Sequence, residues 1–194
     1  MSIQRNTAAV RSVSASLLQS IILTILFTAL GVSLPVIFHR LGIAAVSFSP
    51  MHFPVLLSSL ILGPVSGVIV GIFSVLFSMM LTGMPLLFPT GIAMLFELAA
   101  YGLLSSLVQS ALFSQKKNYL SFLVSLLIAM IAGRFVHGLV QFILASFTSS
   151  EYSLVKFWNG CFALSFPGIV LQIALLPILA SAVSKSGLLK EKNK

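Results

Sequence analysis

In a chain with so few ionisable groups, each one carries information. The only acids are Glu97, Glu151 and Glu191, and there is no Asp. Glu97 and Arg134 both stand inside long apolar runs. Charges at membrane depth are expensive and mark ion pairs, ligand sites or transport paths. Arg134, His137 and Gln141 fall at i, i+3 and i+7, on one face of a helix. Tyr101 follows Glu97 by four residues and shares its face. Asn159 lies near the start of the last apolar stretch, and Gln172 lies deeper in it. Such groups can hold a small polar ligand, or they can be hydrogen-bond glue between helices. His39, Met51 and His52 cluster between the first two apolar stretches. They read as interfacial or loop residues, with axial ligation of a haem-like group as the alternative.

Catalytic signatures are missing. No lysine follows a glycine-rich loop, no histidine begins an H-E-x-x-H run, and no G-x-S-x-G elbow occurs. The chain is expected not to be an enzyme and to have no nucleotide site. With one cysteine, Cys161, an internal disulfide is impossible and a cysteine metal cluster is not expected. No metal and no cofactor are anticipated.

The elements that must position these residues follow from composition. Of 194 residues, 58% are hydrophobic and 7% are charged. Soluble domains carry about 25% charged residues, and disorder needs low hydrophobicity. An all-α polytopic membrane protein remains. Each span takes about 20 apolar residues, so six spans and short loops fill residues 1–194 as a single domain. Basic tails at 1–16 and 184–194 flank it. The spans are expected at Leu17–Phe38, Val46–Leu62, Pro64–Thr82, Thr90–Leu112, Tyr119–Phe147 and Lys156–Val183. The second is interrupted by Pro50 and Pro54. The segment Gly83–Pro89 is uncharged and broken by two prolines. At membrane depth such a loop must pack on protein or line a cavity. Glu97 then lies about 12 Å below one surface, and Arg134 about 22 Å from the other, at the usual helical rise. In a core near 30 Å thick these depths let the two meet as an ion pair.

Charge sets the orientation. Arg5, Arg11, Lys116, Lys117, Lys185, Lys190, Lys192 and Lys194 share one side of a six-span layout, while Arg40 and Lys156 lie on the other. The positive-inside rule places both termini in the cytoplasm. The net charge of +8 forms no basic stripe interleaved with aromatics, so nucleic-acid binding is rejected. Ser16, Ser20, Thr24 and Thr28 form a small-residue ridge on the first span, and Gly63, Gly67 and Gly71 form another on the third. Such ridges serve internal packing or docking of another membrane protein.

Several motifs now add a resemblance. They are Leu34-Pro35, Pro50-Met51-His52-Phe53-Pro54-Val55-Leu56-Leu57, Leu62-Gly63-Pro64 and Leu81 through Pro89. Phe96 through Gly102, Ile131-Ala132-Gly133-Arg134 and Phe166-Pro167-Gly168-Ile169 complete the set. Together they resemble the substrate-binding S-components of energy-coupling factor (ECF) vitamin transporters, over about residues 17 to 183. The resemblance implies six helices with both termini inside and a bacterial plasma-membrane location. It implies an outward pocket for a vitamin or a precursor, such as the cobalamin precursor α-ribazole. Glu97, Tyr101, Arg134, His137, Gln141, Asn159, His52 and Met84 are its expected ligand residues. It implies partners as well: a transmembrane coupling subunit and two cytoplasmic ATPases. Docking in the family uses an A-x-x-x-A pattern on the first span. Here Ala29 fits, Ile25 does not, and Ser20, Thr24 and Thr28 are the expected substitutes. A haem-binding S-component and a stand-alone secondary transporter are the alternatives. The second would need a continuous polar path or an inverted repeat, and neither is visible.

Overall fold

A computed structural model describes residues 2–42, 45–113, 118–148 and 153–186. Side-chain surroundings are described from residue 16 onward, except at 45, 46 and 148. Lys116, Lys117, Lys190, Lys192 and Lys194 of the charge count lie outside the described residues, as do the side chains of Arg5 and Arg11. Among the described residues there are helices and no strands. They are α1 (Ser2–Arg40), α2 (Ala45–Phe48), α3 (His52–Leu62), α4 (Pro64–Thr82), α5 (Ile92–Phe113), α6 (Tyr119–Thr148), α7 (Leu154–Trp158) and α8 (Phe166–Lys185). A kinked segment, Leu87–Gly91, with Phe88 extended at φ −120° and ψ 134°, leads into α5, and a short π-helical segment, Asn159–Ala163, follows α7.

The boundaries of α4 follow from backbone chemistry. Gly63 takes φ +105°, which L side chains avoid, and Pro64 opens the helix where its missing N–H costs nothing. Gly83 closes it at φ +71°, its N–H donating to the Met79 carbonyl at 3.0 Å.

Two expected spans are corrected. Val46–Leu62 is not continuous: α2 ends at Phe48, Ser49 turns at φ +46°, and α3 begins at His52. Pro50 has no N–H to carry a helix through this point. The 11 residues of α3 make about 16 Å of helix, roughly half a bilayer core. The last span is divided too, because the π segment and the Leu164–Ser165 turn separate α7 from α8. Among the described residues five helical stretches are long and apolar enough to cross a membrane: Ser16–Arg40, Pro64–Thr82, Leu87–Phe113, Tyr119–Phe147 and Phe166–Lys185. Helix α3 is a sixth, shorter apolar helix.

Helix α5 is the hub, packing on α4, α6 and α3. Its approach to α4 is backbone to backbone. A Cβ on Gly102 would lie 2.3 Å from the Gly67 carbonyl, and one on Gly71 would lie 2.7 Å from the Leu98 oxygen. The glycine ridge of α4 therefore serves internal packing. Hydroxyls join α5 to α3: Ser105 Oγ donates to Ser59 Oγ at 2.7 Å, and Ser59 Oγ to the Gly102 carbonyl. Between α5 and α6, Ser125 Oγ donates to Gln109 Oε1 at 3.1 Å.

The ridge of α1 is also used inside the chain. Thr24 and Thr28 are buried. Thr24 Oγ1 bonds Ser66 Oγ at 3.1 Å, and Ser74 Oγ reaches the Thr28 carbonyl at 3.4 Å. Gly31, a turn beyond Thr28, has no Cβ to hold Ser74 away. Ser20 is half-buried and Ala29 is exposed.

Candidate ligand-binding site

Among the described residues one carboxylate lies in the interior of this apolar bundle, Glu97, which is 4% exposed. It sits in the second turn of α5, where α3 and α6 converge. Tyr101, one turn further on, donates its hydroxyl to Glu97 Oε1 at 2.7 Å. His52, the first residue of α3, brings Nε2 to 3.5 Å from the same oxygen. His137 of α6 sets Nδ1 2.8 Å from Oε2, close enough for an ion pair but off the line of a hydrogen bond. The His52 and Tyr101 rings lie 5.2 Å apart, tilted by 56°. Gly133 makes room for the Tyr101 ring, since a Cβ there would fall 2.3 Å from two ring carbons. Three helices thus deliver a carboxylate, two imidazoles and a phenol to one point.

The expected Glu97–Arg134 pair is not formed. Arg134 is buried, but its Nη1 donates to the Cys161 carbonyl and, at 3.1 Å, to Ser165 Oγ. Ser165 Oγ in turn donates to the Gly160 carbonyl at 3.0 Å. The guanidinium carbon stands 5.9 Å from the centroid of the Phe162 ring. The physical reason is the π segment. Its wide register, with Leu164 N–H donating to the Asn159 carbonyl, leaves the Cys161 oxygen turned toward α6. Glu97 finds its partners in the two histidines and Tyr101 instead.

Of the other expected ligand residues, Gln141 is half-buried on α6 and Asn159 is exposed. Met84 is 65% exposed in the loop after α4, where its carbonyl accepts from Ser78 Oγ at 2.8 Å. The structure does not bring these three into the cluster. His39 is exposed at the end of α1, while Met51 is in the core beside His52. Sequence reasoning missed the Cys161 carbonyl and Ser165. A backbone acceptor has no sequence signature, and Ser165 is one serine among many. Gln172 is fully buried on α8, its Nε2 3.5 Å from the Ser49 carbonyl. Nearby, Gly168 lets the α2–α3 loop rest on α8, since a Cβ there would sit 2.4 Å from the Phe48 oxygen.

A cleft of about 320 Å³ opens elsewhere, on the flank of α6, between Phe135, Leu139, Phe142, Leu154 and Phe157. No ionisable side chain lines it, and these α6 residues are exposed. The buried polar cluster is therefore the candidate site.

The family model for the substrate-specific component of ECF transporters matches residues 19–184. The chain belongs to that family. No curated protein and no solved structure matches the chain. The family is a transporter component and not an enzyme family. With its apolar helices, the chain is a multi-pass membrane protein. The family implies association with a coupling and ATPase module and a small-molecule substrate.

Proposed function

We propose that this S-component captures a vitamin or vitamin precursor outside the cell and delivers it with a transmembrane coupling subunit and two cytoplasmic ATPases. It crosses the bacterial plasma membrane in six segments, α3 being the short one, with both termini in the cytoplasm. The observation that carries the reading is the convergence of Glu97, His52, His137 and Tyr101 inside a bundle with almost no other buried charge. A mostly apolar site with a few convergent polar groups suits a heteroaromatic with polar edges. A cobalamin precursor such as α-ribazole is one candidate of that kind. Arg134 completes the ligand-facing set, and Gln141, Asn159 and Met84 belong to it only if the outer segments close over the ligand.

Docking falls to the face of α1 opposite Thr24 and Thr28. Leu18, Ile22, Ile25 and Ala29 are exposed there at helix-stripe spacing. Affinity purification from native membranes tests this. The intact chain is expected to recover a coupling subunit and two ATPases, and Ala29→Trp is expected to lose them while remaining folded. Equal recovery by both proteins would contradict docking at Ala29.

A further inference from the structure

Arg134 is 4% exposed, yet its guanidinium is only half used. Nη1 has two acceptors, the Cys161 carbonyl and Ser165 Oγ. The other edge, Nε with Nη2, is buried and makes no hydrogen bond. These two N–H groups lie parallel in the guanidinium plane. They form the fork that matches a carboxylate bidentately. Phe162 addresses the guanidinium at 5.9 Å, and stacking of that kind leaves the in-plane edge open. The acceptors on Nη1 fix the rotation of the plane, so the fork is preorganised. Among the described residues no carboxylate pairs with it, because Glu97 is engaged by Tyr101, His52 and His137. A buried cation without a counter-ion is strongly unfavourable. Three further buried polar atoms make no hydrogen bond: His52 Nδ1, His137 Nδ1 and Gln172 Oε1.

The geometry points to a substrate that carries a carboxylate, seated on the Nε/Nη2 edge of Arg134. This rests on the reading of the chain as a substrate-capturing subunit and narrows its substrate class. Charge balance selects the carboxylate. One guanidinium is neutralised by a single negative charge. A phosphate monoester brings about −1.5 to −2, leaving excess negative charge beside Glu97 in an apolar interior. A neutral nucleoside, α-ribazole included, leaves the cation unpaired, which narrows the candidates away from that class.

The test uses the full chain in detergent and the small-molecule fraction of yeast extract as the probe. Bound compounds are released by denaturation and identified by mass. The retained compound and its primary amide are then titrated against the protein. A carboxylic acid is expected, with the amide at least about thirtyfold weaker, the loss of a buried charge-paired contact. Arg134→Gln is expected to reproduce that loss. Arg134→Lys is expected to recover part of it, since lysine keeps the charge without the fork. If Arg134→Gln does not fold, the acid–amide comparison on the unmodified chain decides. Retention of a neutral compound or a phosphate ester, or equal affinity for acid and amide, overturns the inference and leaves the capture reading standing. Retention of nothing by the unmodified chain overturns both.

Discussion

A carboxylate in the middle of an apolar bundle is tolerable only while its partners hold it. Removing one member of a buried ion pair costs about 3 to 5 kcal/mol. Glu97→Ala is therefore expected to lower stability by that order, read as thermal unfolding in detergent. The double-mutant cycle is more telling. Residues in contact couple by about 0.5 to 3 kcal/mol, whereas residues without shared partners are additive within about 0.3 to 0.5. Glu97 with His137 is expected to fall in the first group and Glu97 with Arg134 nearer the second. Stronger coupling to Arg134 than to His137 would contradict the partner assignment. Glu97, Tyr101, His52 and His137 could be singled out from the sequence as polar residues in or beside apolar runs, and helical spacing put Tyr101 on the Glu97 face. The partner of Arg134 could not. Depth arithmetic places residues along the membrane normal and says nothing about azimuth. The acceptor that captured the guanidinium is a main-chain oxygen.

At the scale of elements, glycine does the work that larger bundles assign to interdigitating side chains. Gly67 and Gly102 let α4 and α5 touch along their backbones. Gly102→Ala is expected to cost about 1 to 3 kcal/mol through overpacking. Gly160, where an added Cβ would meet nothing within 4 Å, is the control, and Gly160→Ala is expected to be near neutral. Equal melting shifts for the two would argue against the tight α4–α5 crossing. Thr24→Trp belongs here as well. Its hydroxyl sits against Ser66, so bulk at that position disturbs the α1–α4 joint before it reaches any partner. Helix α4 was legible to the residue, since Gly63-Pro64 and Gly83 punctuate it at both ends. The interruption before α3 was half legible, through Pro50. The π segment at Asn159–Ala163 was not, because no residue type there forbids an ordinary helix.

For the whole molecule, composition alone excluded a soluble globule, and the helices agree. Orientation rests on the distribution of lysine and arginine, so it calls for its own measurement. A cysteine placed at Ser2 is expected to react with a membrane-impermeant maleimide only after cells are permeabilised. Native Cys161, 4% exposed, is expected to stay silent until the protein unfolds. Labelling of Ser2→Cys from outside intact cells would overturn the cytoplasmic N-terminus. The central proposal is that this chain captures a substrate and that pumping is supplied by the coupling subunit and ATPases. Reconstitution into liposomes tests that most directly, with uptake of the compound retained from yeast extract as the readout. The expected result is concentrative uptake only when the coupling subunit, both ATPases and ATP are present. Concentrative uptake by the isolated chain, driven by a proton or sodium gradient, would contradict the account and identify a secondary transporter.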